Sequence, residues 1–143
     1  MASLSPVREL QSLDYNKGYY DLLKKLTHVQ EEVSLETFTE FVSSLSSSHN
    51  VFVIEDLTTQ KIVGSITMYT QRTPLHKCRT IVHMDHWVAD PTYKGVGATL
   101  LAHLIDIAKK NGYKLSTTCP DKMVGYYEKK EFRKRGNHMC LYF

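Results

Sequence analysis

Long apolar runs are absent from this sequence. No stretch approaches the roughly 18 to 20 consecutive apolar residues that a helix needs to cross a bilayer. The N-terminal residues also lack the basic and then apolar pattern of a secretion signal. We therefore expect a cytoplasmic protein with no membrane partner.

Cysteine is scarce and follows no spacing pattern. The three cysteines, Cys78, Cys119 and Cys140, are odd in number and contain no Cys-x-x-Cys pair. A disulfide framework needs paired cysteines, and a structural zinc site usually needs such a pair. Reduced thiols and no zinc site are therefore expected.

An excess of one charge is also missing. Eighteen Lys and Arg stand against fifteen Asp and Glu, which leaves a formal charge of +3. Without a basic patch, this excess does not indicate a nucleic-acid partner, although it favours small anionic ligands. The length of 143 residues and the 42% of apolar residues fit one globular domain over residues 1–143.

The apolar spacing of the first half predicts a strand, two helices and then a hairpin. The strand is expected over Val7 to Leu13, and the helices over Tyr19 to Leu26 and Ser34 to Leu45. Ser34 is the expected N-cap of the second helix. Its expected buried stripe is Leu35, Phe38, Phe41, Val42 and Leu45. The hairpin strands are Val51 to Glu55 and Ile62 to Thr70, followed by a loop over Arg72 to Lys77.

The second half begins with a strand over Thr80 to Ala89, a glycine-containing loop and a helix. Leu100, Leu101, Leu104, Ile105 and Ala108 define the apolar face of that helix, which ends at Asn111-Gly112. The remaining elements are a strand over Tyr113 to Cys119, a helix over Val124 to Lys130 and a closing strand over His138 to Tyr142. This order predicts an α/β (α+β) fold with a mixed, mostly antiparallel sheet flanked by helices.

The loop from Asp90 to Gly97 is the first segment with a chemical meaning. Backbone N–H groups at a helix N-terminus carry partial positive charge, and glycines let a phosphate approach them, so the loop suits a pyrophosphate. A Gly-x-Gly turn that binds nothing has the same sequence. The loop lacks the Gly-Lys-Ser/Thr of a P-loop and the third glycine of a dinucleotide-binding motif, which disfavours nucleotide hydrolysis and hydride transfer.

A second segment, Val124-Gly125-Tyr126-Tyr127-Glu128-Lys129-Lys130-Glu131-Phe132, follows about thirty residues after the loop. In order and spacing, the two segments together resemble the GNAT acetyltransferase superfamily. Within it, further stretches resemble the eukaryotic glucosamine 6-phosphate N-acetyltransferase family. These stretches are Asp14 to Thr27, Val53 to Asp56, Gln60 to Val63, His83 to Val88 and Gly112 to Lys114, together with Met139.

The resemblance covers nearly the whole chain and implies both a reaction and an assembly. The implied reaction is direct transfer of acetyl from acetyl-CoA to the 2-amino group of glucosamine 6-phosphate, in UDP-N-acetylglucosamine synthesis. The implied assembly is a homodimer in which each subunit completes the other's sugar site. His83 and His86 are the nearest approach to a metal pair, but no third ligand accompanies them at a suitable spacing, so no metal is expected.

The resemblance also implies roles for individual residues. Tyr127 is expected to protonate the leaving thiolate, and Asp85 or His86 to orient or deprotonate the amine. A backbone N–H near Trp87 or Val88 is expected to stabilise the oxyanion. The matched cofactor-binding positions are Trp87, Val88, Ala89, Lys94, Gly95, Val96, Gly97, Ala98, Thr99, Thr118 and Tyr127. The matched substrate-binding positions are Thr27, Arg72, His76, Asp85, His86, Tyr113 and Lys114.

The chain departs from the family pattern at several of these positions. Lys94 or Thr92, depending on whether the loop is matched from the strand or from the helix, replaces the usual Arg or Gln. Other family residues are replaced by His86, Thr118, Met123, Glu131 and Tyr142. An acetyltransferase for a different amine, or an acyl-CoA-binding protein without activity, therefore remains as an alternative.

Overall fold

The computed structural model describes residues 2–29 and 31–143 and contains five strands and four α-helices in those ranges. The strands are β1 (Arg8–Glu9), β2 (His49–Asp56), β3 (Lys61–Arg72), β4 (Thr80–Ala89) and β5 (Gly112–Ser116). The helices are α1 (Tyr19–Leu23), α2 (Leu35–Ser44), α3 (Val96–Asn111) and α4 (Asp121–Glu128). Short 3₁₀ turns cover Ser12–Lys17 and His76–Cys78.

The five strands form one sheet in chain order. β1 to β4 pair antiparallel, and β5 pairs parallel to β4 after the α3 crossover. Parallel neighbours need such a crossover, which the helix after the glycine loop supplies. The predicted fold class, a mixed and mostly antiparallel sheet flanked by helices, is confirmed.

Apolar side chains alternate along the strands and fill a layer on each side of the sheet. On one side, Phe52, Ile66 and Val82 pack with Leu100 and Leu104 of α3. On the other side, Val51 and Val53 pack with residues of α1 and α2 that include Tyr19, Leu22 and Phe38. Each side thus has its own helical cover, and β4 lies between the two layers.

The first predicted strand is shorter than expected. Only Arg8 and Glu9 pair with β2, because the chain turns at Gln11, whose N–H donates to the Asp14 carboxylate at 2.8 Å. Arg8 forms two bonds to the same carboxylate, at 2.9 and 2.8 Å, and one to Glu55 at 2.8 Å. Asp14 is fully buried, so this charge pairing fixes the turn against β2.

The predicted closing strand, His138 to Tyr142, does not form. These residues have no regular structure, and the side chains of Met139 and Tyr142 are almost fully exposed. A strand needs a neighbouring edge to satisfy its backbone groups, and this segment pairs with none in the described ranges. Its apolar sequence suggested a strand, but the sequence does not supply a pairing partner.

The predicted stripe of α2 is only partly buried. Ser34 caps the helix as expected, accepting a bond from the Thr37 N–H at 3.1 Å. Phe38 is buried, and Val42 and Leu45 pack partly buried against the same cluster, whereas Leu35 and Phe41 are exposed. None of the helices formed by residues 2–29 and 31–143 has the length and apolar character needed to cross a membrane.

Candidate active site

A β-bulge in β4 sets the direction of the predicted catalytic side chains. Asp85 pairs with Thr67 and Val88 with Ser65, so His86 and Trp87 together oppose a single residue of β3. His86 has a φ of 47°, and its N–H donates to the Asp85 carboxylate at 2.8 Å. The inserted residue breaks the alternation of the strand. His86 therefore lies on the α1 and α2 side with Asp85, and Trp87 lies on the α3 side.

The pairing of β4 with β5 ends just before this bulge. His83 pairs with Ser116, and beyond that point the parallel ladder stops, while β4 continues to Ala89. The backbone of β4 after His83 therefore has an edge that β5 does not cover. Such an edge offers N–H and C=O groups to an extended ligand inserted between the two strands. The predicted oxyanion donor, near Trp87 or Val88, belongs to this segment.

Tyr127 lies on the α3 side of this opening. Its side chain is 7% exposed and packs against Phe132, with a ring centroid distance of 5.1 Å, and against Trp87 at 6.1 Å. Burial, with a smaller contribution from Cys119, raises the pKa of Tyr127 to about 12, although the neighbouring Thr117 hydroxyl acts in the opposite direction. The phenol therefore keeps its proton at neutral pH and can act as a general acid.

The N-terminus of α3 has the features that suit an anion. Gly95, its N-cap, has a φ of 84°, and no described side chain caps the first N–H groups, those of Val96, Gly97 and Ala98. The main-chain oxygen of Gly95 accepts from the Thr99 N–H at 2.9 Å and from the Thr99 hydroxyl at 2.8 Å, so Thr99 closes the first turn. Sixteen aligned peptides add the helix dipole to these free donors. Lys94, exposed, stands just before them.

Trp87 joins this helix terminus to the bulge. Its indole N–H donates to the Gly97 carbonyl at 3.1 Å. Trp87 is half-buried, and its ring also faces Tyr126, at a centroid distance of 5.8 Å. Trp87 therefore contacts both the first turn of α3 and α4, and its ring separates the two helices at this point. Ala89, two residues on, packs on the same side.

On the opposite side of β4, Thr27 and His86 line a cavity of about 300 Å³. Most of its remaining lining is apolar or aromatic and includes Tyr20, Leu23, Phe38 and Phe41. The side chains of Asp85 and His86 are 50% and 62% exposed, and their nearest charged atoms are 3.9 Å apart. The bulge thus places the His86 imidazole in the lining of this cavity and the Asp85 carboxylate beside His86 on the same face of β4, away from Tyr127.

The other predicted substrate-binding residues lie farther along the sheet. Arg72 pairs with Thr80, which is five residues from Asp85, or about 17 Å at 3.3 Å per residue. His76 stacks on Tyr113 with ring centroids 4.2 Å apart, at the same end of the sheet. Arg72, His76 and Tyr113 therefore form a group separate from Thr27, Asp85 and His86.

Lys114 follows Tyr113 in β5 and pairs with Ile81, and its charge acts on a residue that the sequence did not single out for the substrate. His83 shares a strand face with Asp85 and bonds to Gln71 at 3.0 Å. Burial and the Lys114 charge lower the pKa of His83 below its ordinary value. The signal that could have found His83 is its two-residue spacing from Asp85, which puts both side chains on one face of a strand.

A larger cavity, of about 840 Å³, follows β5 and α4 on the side of Tyr127. Thr118, Tyr113 and Lys114 also line it, so Thr118 shares this cavity with Tyr127, and its role in binding the cofactor stays a prediction. Its basic lining favours phosphate groups. The cationic side chains in the lining are Lys109, Lys114, Lys130, Arg133, Lys134 and Arg135, and the carboxylates are Asp121, Glu128 and Glu131.

Residues 7–132 match the model of the Acetyltransferase (GNAT) family. The chain belongs to this family, and it is an acetyl-CoA-dependent N-acetyltransferase, as expected. The resemblance to the glucosamine 6-phosphate N-acetyltransferases is confirmed by the more specific relatives described next.

Two similar proteins and one crystal structure carry that more specific name. The chain is 30% identical to the glucosamine 6-phosphate N-acetyltransferase of Arabidopsis thaliana over 100% of its own length and 99% of the relative's. It is 32% identical to a probable glucosamine 6-phosphate N-acetyltransferase of Drosophila melanogaster over 85% of its length, and spans 58% of that protein. The crystal structure of an Arabidopsis thaliana glucosamine-6-phosphate N-acetyltransferase superposes with a TM-score of 0.86 at 27% identity, covering 99% of both chains.

Proposed function

We propose that this chain transfers the acetyl group of acetyl-CoA to the 2-amino group of glucosamine 6-phosphate. The observation that carries the proposal is the opening between β4 and β5, with Tyr127 on one side and Asp85 and His86 on the other. In a direct transfer, the amine of one substrate must reach the thioester carbonyl of the other. The opening can be approached from both sides of β4, one for each substrate. The similar proteins from Arabidopsis and Drosophila support the choice of acceptor.

In the proposed reaction, the pantetheine arm lies along the free edge of β4 and the pyrophosphate binds the N–H groups that begin α3. The neutral amine, oriented by Asp85 or His86, attacks the thioester carbonyl and gives its proton to one of these two side chains. A β4 N–H near Trp87 or Val88 bonds to the developing oxyanion. The carbon–sulfur bond then breaks, and Tyr127 gives its proton to the thiolate of CoA.

The cationic groups near the open sheet face support a phosphorylated acceptor. Lys114 pairs with Ile81, four residues along β4 from Asp85, and its charge acts on His83, which is two residues from Asp85. A sugar phosphate with its amine at Asp85 would extend past His83 toward the long Lys114 side chain, whose position in the sheet is about 13 Å from Asp85, whereas the row of Arg72 is about 17 Å away. The resemblance further implies that the product enters UDP-N-acetylglucosamine synthesis in the cytoplasm.

The test is CoA release from acetyl-CoA, followed with a thiol reagent. We expect release with glucosamine 6-phosphate that exceeds release with glucosamine or without an acceptor by at least about tenfold, which corresponds to about 1.4 kcal/mol of phosphate recognition. CoA binding without release for any acceptor would contradict the proposal and favour an acyl-CoA-binding protein.

One observation favours a second candidate, an acetyltransferase for a less polar amine. The cavity beside His86 is lined mainly by aromatic and aliphatic side chains, and none of its lining residues in the described part of the chain is a Lys or an Arg. The same release assay with an aromatic primary amine separates the two candidates. Turnover with that amine, and none with glucosamine 6-phosphate, would select the second.

We also propose that the chain acts as a homodimer. The half of the sheet beyond α1 and α2 has an open face, where Tyr69 is 43% exposed, and the apolar C-terminal residues Met139, Leu141, Tyr142 and Phe143 are exposed. A second copy that covers these surfaces would bury them. Light scattering at working concentration should give twice the mass of one chain, and the mass of a single chain would contradict the proposal.

A further inference from the structure

The loop that leads into α3, residues 90–95, has one cationic side chain, that of Lys94. Free backbone N–H groups must therefore contribute much of the attraction for an anionic ligand there. Such donors bind well only if they already point in one direction, because ordering a loop on binding costs affinity. What holds this loop in place thus bears directly on ligand affinity.

Two side-chain contacts hold the loop, in addition to backbone bonds from the Asp90 N–H to the Val63 oxygen at 2.8 Å and from the Tyr93 N–H to the Asp90 oxygen at 3.0 Å. Within it, the Asp90 carboxylate accepts from the Thr92 N–H at 3.0 Å and from the Thr92 hydroxyl at 2.8 Å, and these bonds keep the pKa of Asp90 below its ordinary value. Across the fold, the Tyr93 hydroxyl donates to the Asp56 carboxylate at 2.7 Å. The second contact links the loop to the turn between β2 and β3.

The acceptor of this second bond is itself fixed. Asp56 is 2% exposed, and its other oxygen accepts from the Thr58 N–H at 2.9 Å. The Tyr93 hydroxyl lowers the pKa of the Asp56 carboxyl, and the same contact raises the pKa of Tyr93. A charged acceptor makes the hydrogen bond short and strong, so the phenol is held to the rigid hairpin rather than to another loop.

From this geometry we infer that Tyr93 and Asp56 are positioning residues for acetyl-CoA: their hydrogen bond holds the N–H groups at the start of α3 in the orientation that receives the pyrophosphate. The inference rests on the proposed placement of the pyrophosphate at that helix terminus. Neither residue touches the reacting atoms. The bond therefore acts on affinity for acetyl-CoA and leaves the transfer step unchanged.

The test compares acetyl-CoA with S-acetylpantetheine, which carries the same thioester but no pyrophosphate. Tyr93→Phe keeps the ring and removes only the hydroxyl. We expect the KM and the Kd for acetyl-CoA to rise about tenfold, with kcat at saturation unchanged and with the KM for S-acetylpantetheine unchanged. The Tyr15→Phe variant is the matched control, because it removes a tyrosine hydroxyl bond of the same length, 2.7 Å to the Val33 carbonyl, on the other side of the sheet.

Three results would overturn the inference. If Tyr93→Phe lowers only the thermal midpoint and leaves the preference for acetyl-CoA intact, the bond is structural. If the affinities for acetyl-CoA and S-acetylpantetheine fall equally, the variant has disturbed the whole site and not only the pyrophosphate loop. If the wild-type protein does not prefer acetyl-CoA over S-acetylpantetheine, the proposed pyrophosphate site fails first, and the role of Tyr93 fails with it.

Discussion

Replacement of Tyr127 by phenylalanine should lower kcat about a hundredfold while changing the Kd for acetyl-CoA by no more than about twofold. The phenol, with its pKa raised to about 12, holds the proton that the CoA thiolate needs. Phenylalanine keeps the ring contacts with Phe132 and Trp87, so the fold and the cofactor contacts should persist. Stopped-flow or steady-state CoA release measures the rate, and calorimetry measures the affinity.

Tyr126→Phe is the control for this prediction. Tyr126 precedes Tyr127 in α4, is 37% exposed and also faces Trp87, so the two variants remove the same group from adjacent positions. We expect Tyr126→Phe to retain nearly the wild-type rate. A Tyr127→Phe enzyme with an unchanged kcat would mean that the thiolate leaves without help from this residue, and water in the opening would then be the proton source.

Gly64→Ala should be the most destabilising small substitution on the α3 side of the sheet. A Cβ at Gly64 would lie 2.3 Å from Val96 Cγ1 and 2.9 Å from Leu100 Cδ1. Val96 is buried and β-branched, so it cannot rotate away, and α3 must move off β3. We expect a loss of about 3 kcal/mol in the free energy of unfolding. This is the upper end of the usual cost of adding atoms to a well-packed core.

Gly64→Ala should also weaken acetyl-CoA binding, by about tenfold, because Val96 begins the helix whose N–H groups are proposed to bind the pyrophosphate. Gly125→Ala is the matched control. Gly125 lies in α4, and a Cβ there meets nothing within 4 Å, so alanine should stabilise the helix by about 0.5 to 1 kcal/mol. Urea unfolding of both variants, with and without CoA, measures the two effects. Equal midpoints for Gly64→Ala and the wild type would contradict the tight packing of α3 on β3.

Most elements were predictable from the sequence because their signals are local. The strand Thr80 to Ala89 has the predicted bounds, and the helix after the glycine loop ends at Asn111 beside the predicted Gly112. The element ends that differ were set by contacts distant in sequence. The first strand gives way to a turn because Asp14 is paired with Arg8, and the segment His138 to Tyr142 stays irregular in the absence of a partner edge.

The candidate site was predictable as a set of residues but not as an arrangement. The glycine loop and the segment around Tyr127 carry motifs, so those positions could be named. A regular strand would have turned His86 toward α3, and the bulge that turns it toward Thr27 depends on the register between β4 and β3. The separation of Arg72 and His76 from Asp85 follows from the same register, which no local pattern encodes.

The sequence by itself determined the order of the elements as far as α4, the family and the residues that match its motifs, because apolar periodicity and motif spacing are read along the chain. Only the tertiary structure decided on which side of β4 each side chain lies, where β4 separates from β5, and that Tyr93 is held by Asp56, 37 residues away. These features depend on strand register and on contacts between distant segments, and their energies exist only once the two layers have packed on the sheet.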